Sequence, residues 1–289
     1  MSRAIFVLSL PRSGSSALAG CLHRMGIDMG EGYLQVPDVL NPAGYVEDRR
    51  WQLINKQIAG SQYVVRWKEP TQGQLDAYRR LIAKCSTVPV WGVKGPRMCF
   101  TFHRITPLLE EAGVECLVVN AHREFENVVQ SFKRHTEIAY GGRWPMTEDE
   151  ARAHMEKWRA ALQYQLGSLR GDYYKVDYDQ LLAEPVTELL SLHDYCYEGL
   201  EIEGHKRIVT PALNWLDRNL RHFNADNRPD AGPNDGDNGG KSGFASGWTR
   251  KRPCSGCRGR KEKRMDKERE SASAAGMARE TEEKPEQPS

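Results

Sequence analysis

The chain has 289 residues, 39 % of them apolar, and 41 Lys and Arg against 39 Asp and Glu leave a formal net charge of +2. That is enough apolar material for one substantial core, but no segment approaches the roughly 20 apolar residues of a membrane span, and Ile5 to Leu10 is too short for a signal peptide. Seven scattered cysteines, at 21, 85, 99, 116, 196, 254 and 257, rule out a fully paired disulfide framework and fit a reduced, cytoplasmic setting.

Ala4 to Leu8 is a run of β-branched, aromatic and aliphatic residues that predicts a buried strand over 4–9, and helix-forming residues at apolar spacing predict a helix over 15–25. The segment between them, Ser9-Leu-Pro-Arg-Ser-Gly-Ser-Ser16, is a polar turn at a helix N-terminus. Unpaired backbone N–H groups and the positive end of the macrodipole favour an anion there, and Gly14 lets the backbone approach it. Set against the nucleotide-binding pattern G-x-x-x-x-G-K-S/T, Ser9 stands for the first Gly, Gly14 for the second, Ser15 where Lys belongs and Ser16 for the metal-binding hydroxyl. Without the lysine, handling of β- and γ-phosphates is poorly supported. What remains is an oxyanion cradle of Arg12, Ser13, Ser15, Ser16 and backbone amides, suited to a compact phosphate or sulfate group.

Asn41-Pro-Ala-Gly-Tyr-Val-Glu-Asp48 opens with turn residues and places Glu47 at the start of a helix expected over 48–59. A helix over 71–84 and a strand over 88–94 follow, the strand ending on Lys94, and then a helix over 103–112 and a strand over 115–120. The next helix, over 124–136, carries two acids in its first turn, which leaves Arg123 at a strand-to-helix junction and Ser131 two turns along. A guanidinium fork and a hydroxyl so placed can clamp one phosphate; a surface arginine and a solvated serine are the plainer alternative. A long helix over 147–169, a strand over 172–177 and a helical region over 179–197 complete the body. Strands alternating with helices argue for a parallel sheet covered on both faces. Anion sites in such sheets lie at the carboxyl ends of the strands, and Arg12, Lys94 and Arg123 each follow a predicted strand.

After Phe223 the chain has no Leu, Ile, Val or Tyr. A stretch so composed cannot offset its ordering entropy by burial, so residues 1–224 are expected to form one α/β domain and 225–289 a disordered, basic tail. Arg250 to Arg269 holds ten basic and three acidic residues, a run that can contact polyanions weakly. Cys254 and Cys257 form a C-x-x-C without a second pair, and the spacings of His103, His122 and His135 make no metal-ligand set, so no metal is expected.

The LPRSGSSALAG stretch resembles the 5′-phosphosulfate loop of sulfotransferases that use 3′-phosphoadenosine 5′-phosphosulfate (PAPS), in the P-R-S-G-S/T-S/T form. Arg123 and Ser131, with their spacing, resemble that family's 3′-phosphate site, although Phe125 stands where many members have proline. Three further stretches are similar. Asn41 to Asp48 matches a bacterial N-P-x-G-Y/F-x-E-D/N segment, Val93-Lys-Gly-Pro96 a V-K-D/S-P motif with Gly95 for the acid, and Val176 to Pro185 a Y-E/D-x-L segment that brings Tyr178 near the nucleotide.

The resemblance spans about residues 3 to 215 and implies a P-loop-like sulfotransferase fold, PAPS as sulfuryl donor without a metal, and an acceptor hydroxyl or amine on a small molecule, lipid or carbohydrate. It implies Glu47 as general base, with Asp48 able to serve instead and a helix cap as the plainer role for either. Lys94 and Arg12 would stabilise the transferring group, Arg123 and Ser131 would hold the 3′-phosphate, and Tyr178 would stack on adenine or merely brace a turn. A divergent P-loop kinase and a non-catalytic nucleotide-binding module remain open beside it.

Overall fold

A computed structural model describes residues 2–31, 41, 44–139, 145–200 and 209–216. The expected domain boundary at 224/225, the tail and its Cys254/Cys257 pair lie outside the described residues.

The first strand, β1 (Arg3–Ser9), is buried along its whole length, as its apolar run requires. Its residues divide between two cores by the two-residue period of a strand. Ala4, Phe6 and Leu8 enter one, Ile5 and Val7 the other. The sheet is four-stranded and entirely parallel, in the order β2 (Val90–Lys94), β1, β3 (Glu115–His122), β4 (Tyr174–Asp177). Helices α2 (Arg49–Ala59), α3 (Gln72–Cys85), α4 (Met98–Glu111), α5 (Phe125–Ala139) and α6 (Glu148–Gly167) contribute to the first core. There Phe6 meets Trp51, Trp91 and Phe102 at ring separations of 5.9, 5.9 and 5.1 Å. Helices α1 (Ser15–Arg24), α7 (Tyr178–Ala183), α8 (Pro185–Tyr197) and α9 (Thr210–Trp215) contribute to the second. The expected α/β architecture, a parallel sheet with helices on both faces, is therefore the one observed.

Three elements depart from the sequence expectation. The helix expected from 103 begins at Met98, directly after the turn at Gly95 and Pro96. Met98-Cys-Phe-Thr-Phe has strand-like composition, but Met98, Phe102, Ile105 and Leu109 repeat at helical spacing and all are buried, so packing overrides propensity. This helix also contains Pro107, which cannot donate to the carbonyl of His103; the Thr106 hydroxyl donates to it at 3.4 Å instead. The helical region expected over 179–197 is two helices divided at Glu184, because the helical conformation is disfavoured for the residue before Pro185, which takes φ −126°, ψ 57°. Helix α9 was not foreseen: six residues around Pro211 carry no usable period.

The chain order makes β1 and β3 the strands between which the winding direction reverses. Crevices at such switch points, beyond the carboxyl ends of the strands, are where parallel α/β sheets bind ligands. Arg12 leaves one side of that crevice and Arg123 the other.

Candidate active site

The turn after β1 is tight and held from within. Ser13 donates its hydroxyl to the carbonyl of Leu10 at 2.8 Å and is buried, so its side chain closes the loop and does not line the cleft. Arg12 has φ 69° and Gly14 φ 84°, both left-handed. For a residue with a side chain such a conformation costs about 1–3 kcal/mol and persists only where its surroundings enforce it. Gly14 is required twice over, since a Cβ there would also sit 2.1 Å from the ring of Tyr178. Helix α1 starts at Ser15 with no side-chain cap, so its first N–H groups face the cleft that Ser15 and Ser16 line.

A lysine does reach this loop, from the neighbouring strand. Lys94, the last residue of β2, is 4 % exposed and donates to Ser16 Oγ at 3.0 Å, to the carbonyl of Tyr45 at 3.0 Å and to Glu47 Oε1 at 2.7 Å. Three acceptors use all three of its protons. The second carboxylate oxygen of Glu47 accepts from Gln52 Nε2 at 2.7 Å, so the buried carboxylate is fixed at both ends. The two acids side by side thus separate in position. Asp48 caps α2 by accepting from the backbone N–H of Arg50 at 2.8 Å, and Glu47 lines the cleft. The turn ahead of them is closed by a bond from Gly44 N–H to the carbonyl of Asn41 at 2.9 Å.

On the other side of the crevice, Arg123 follows β3 and is buried, its guanidinium carbon 5.2 Å from the centroid of Tyr178. Ser131, two turns along α5, accepts from Arg12 Nε at 3.3 Å, so the two segments that carry the arginines touch through it. Burial first, and then the nearby Arg123 guanidinium, hold the Arg12 pKa below its ordinary value against the opposing influence of Tyr45. Among the described residues Arg12 makes no ion pair with a carboxylate. A desolvated guanidinium without a countercharge is what an anion site requires. Tyr178 is positioned by its predecessor: Asp177 caps α7 and also accepts from His122 Nδ1 at 3.0 Å. His122 thus braces the end of β4 and does not line the cleft.

Arg12, Gly14, Ser15, Ser16, Glu47, Lys94, Arg123, Ser131 and Tyr178 accordingly line one cleft, with Ser13 behind the loop. Glu47 is the sole carboxylate among the described lining residues, against three cations. The enclosed volume is about 120 Å³, room for one tetrahedral oxyanion with water and below the roughly 300 Å³ at which small-molecule sites usually begin. A nucleotide would therefore extend into the open mouth. A larger cavity of about 460 Å³ lies by Cys116 and Val118, in the amino-terminal half of β3, where the one lining arginine, Arg170, is paired with Glu110. It lacks convergent charge.

Several lining residues were not foreseen. Trp215 and Leu216 arrive with α9, the Trp215 ring lying 3.7 Å from the Arg24 guanidinium carbon and donating to the carbonyl of Ala17 at 3.3 Å. The signal in the sequence was Gly20, an unfavourable residue inside a helix, where a Cβ would meet the indole at 2.1 Å. His135, set aside for want of metal-ligand spacing, also lines the cleft; its signal was the four-residue step from Ser131 on one helix face. Gln62 had no such mark. Among the described residues no group of three His, Cys, Asp or Glu is placed to hold a metal, and no helix is long and apolar enough to cross a membrane.

No protein-family model matches this chain, and no curated protein matches it in sequence. Solved structures similar to it include the sulfotransferase STF1 of Mycobacterium tuberculosis H37Rv, 17 % identical over 74 % of this chain and 70 % of that one with a TM-score of 0.46. The sulfotransferase domain of the curacin biosynthetic pathway is 15 % identical over 75 % and 78 %, with a TM-score of 0.44. The sulfotransferase domain of the Synechococcus PCC 7002 olefin synthase is 18 % identical over 75 % and 78 %, with a TM-score of 0.40.

Proposed function

We propose that this chain is a sulfotransferase that uses PAPS and transfers its sulfuryl group to an acceptor hydroxyl or amine. One observation carries the reading: a single buried ammonium, Lys94, joins the carboxylate of Glu47 to the hydroxyl of Ser16 in the anion-binding loop. A fixed base and an oxyanion cradle sharing one cation are what deprotonating a nucleophile beside a transferring oxyanion demands.

Arg12, the first N–H groups of α1 and the hydroxyls of Ser15 and Ser16 would hold the 5′ end of the donor, and Arg123 with Ser131 its 3′-phosphate. The Tyr178 ring supplies an apolar face for the base. When bound, PAPS supplies an activated sulfuryl group and leaves as 3′,5′-ADP. Glu47 takes the proton of the acceptor, and Lys94 keeps its carboxylate oriented and offsets the charge collecting near Ser16. Charge supports the reading as well: among the described residues three cations and one carboxylate line the cleft, a balance that suits a polyanionic ligand.

Calorimetry with 3′,5′-ADP in the absence of magnesium tests this directly. Heat from 3′,5′-ADP and none from ATP is expected, with binding weakened at least tenfold by Arg12→Ala and by Arg123→Ala. Glu47→Gln should lower kcat for transfer from sulfur-labelled PAPS and leave 3′,5′-ADP affinity within twofold. Magnesium-dependent ATP binding without 3′,5′-ADP binding would favour a kinase, a reading that the proximity of Lys94 to the loop keeps specific.

A further inference from the structure

The cleft is lined from both faces of the sheet, so its mouth has two sides that differ in chemistry. On the side of α1, α7 and α9 it is walled by Leu182, Trp215 and Leu216. On the side of α5 the described wall is polar: Gln62 and His135, with Tyr63 behind them. We infer that the polar side binds the acceptor and that the acceptor is a neutral, polyhydroxylated molecule of carbohydrate type. This rests on the sulfotransferase reading for the identity of the other ligand.

The polar side is held in a fixed shape by a tight turn and by packing on the first core. Gly60, at φ 81°, turns the chain after α2; a Cβ there would strike the carbonyl oxygen of Val64 at 2.4 Å. The turn closes through Ser61 N–H to Val64 O at 3.0 Å and Arg66 N–H to Ala59 O at 3.0 Å, and Arg97 Nε ties it to the start of α4 by donating to Gly60 O at 2.8 Å. It carries Gln62 and Tyr63 onto His135, whose Nε2 lies 3.0 Å from the Gln62 amide nitrogen and 2.9 Å from the Tyr63 hydroxyl. The Tyr63 and His135 rings stack at 6.0 Å and 23°. Of these, Gln62 and His135 line the cleft, where a primary amide with two donors and an acceptor carbonyl stands beside an imidazole held by Tyr63. Vicinal hydroxyls on a saturated ring present the matching pattern.

Charge and apolarity argue against ionic and alkyl acceptors. The cations lining the cleft are Arg12, Lys94 and Arg123, all at the donor end, so an anionic acceptor would meet no further positive group among the described residues. Glu47 is already paired, which disfavours a cationic amine. A lipid or alkyl acceptor needs an aliphatic wall, and among the described lining residues the leucines, Leu182 and Leu216, lie on the opposite side. The polar side also adjoins the reacting groups. Ser131, one turn before His135, accepts from Arg12, and the carbonyl of Tyr45 accepts a hydrogen bond from Lys94. A hydroxyl held there is within the same cleft as Glu47.

The test uses the full chain loaded with 3′,5′-ADP and saturation-transfer NMR on a mixture of methyl β-glucoside, N-acetylglucosamine, cellobiose, 4-nitrophenol and 1-decanol. Saccharide ring protons are expected to receive saturation, and Gln62→Leu, which keeps the volume and removes the amide, to weaken that binding roughly tenfold with 3′,5′-ADP affinity unchanged. If that variant misfolds, His135→Gln serves for the same comparison. Saturation confined to nitrophenol or decanol, or none on any saccharide, overturns the inference and leaves the sulfotransferase reading standing. Saccharide binding in a chain that does not take up 3′,5′-ADP would do the reverse.

Discussion

The Lys94–Glu47 pair gives the sharpest quantitative test, because its two halves are unequally supported. Replacing Lys94 by methionine keeps the volume but leaves a buried carboxylate with one donor, Gln52, and strips the Tyr45 carbonyl of its partner. Breaking a buried ion pair from one side costs about 3–5 kcal/mol, and for a domain of this size each kcal/mol moves the melting temperature by roughly 2–4 °C. Lys94→Met should therefore melt about 6–20 °C below the parent. Glu47→Gln leaves the ammonium with three oxygen acceptors, the new amide oxygen among them, and should cost about half as much. Removing both charges in Lys94→Met/Glu47→Gln should recover part of the loss, giving a coupling energy of about 1–3 kcal/mol in a double-mutant cycle read from urea unfolding. A Lys94→Met protein melting within 2 °C of the parent, or a double variant no more stable than Lys94→Met, would show that the pair is not the buried, mutually dependent unit described above.

Three further outcomes are expected. Gly14→Ala forces a left-handed alanine and drives its methyl into Tyr178, so 3′,5′-ADP affinity should fall by at least tenfold in calorimetry while the circular dichroism spectrum is retained; unchanged affinity would mean that the loop and Tyr178 do not meet in the bound protein. Burial raises the pKa of Asp48, but hydrogen bonds from the Arg50 side chain and from the backbone N–H groups of Glu31 and Arg50 outweigh it and hold the carboxyl below its usual range. Its stabilisation is then complete above the unfolded value of about 3.9 and lost as pH falls through the lower folded value. The urea-midpoint gap between the parent and Asp48→Asn should accordingly narrow from pH 6 to pH 2.5, and a constant gap would contradict the assignment. Burial pushes the thiols of Cys99 and Cys196 up to about 12 and raises that of Cys21. Peptide mapping after iodoacetamide at pH 8 should find these three unmodified in the folded protein and fully modified in urea; labelling at rates comparable to a free thiol would place them outside the core.

The strand–loop–helix units were legible because each is a local pattern: an apolar run, a polar turn and an amphipathic stretch follow one another within about 20 residues, as at Ala4 to Met25 and Glu115 to Thr136. The alternation of such units sufficed to predict a parallel sheet covered on both faces. The positions of Arg12, Lys94 and Arg123 at strand ends followed from the same reading.

What joins those strand ends is long-range, and no local period encodes it. That Lys94 supplies the ammonium missing from the loop, 78 positions away at Ser16, depends on β2 pairing beside β1 with Lys94 opposite Val7. That Asp48 caps the helix and Glu47 turns inward depends on where Lys94 and Arg50 lie in space; adjacent acids in a sequence are interchangeable until packing separates them. Helix α9 and the turn at Gly60 are short and aperiodic, so their contributions, Trp215 on one side and Gln62 on the other, came only with the tertiary structure. Sequence by itself determined which chemistry the chain can assemble at its strand ends, because propensity and charge act over a few residues. Which of those groups meet, and with what on either side, was decided by the order of the strands.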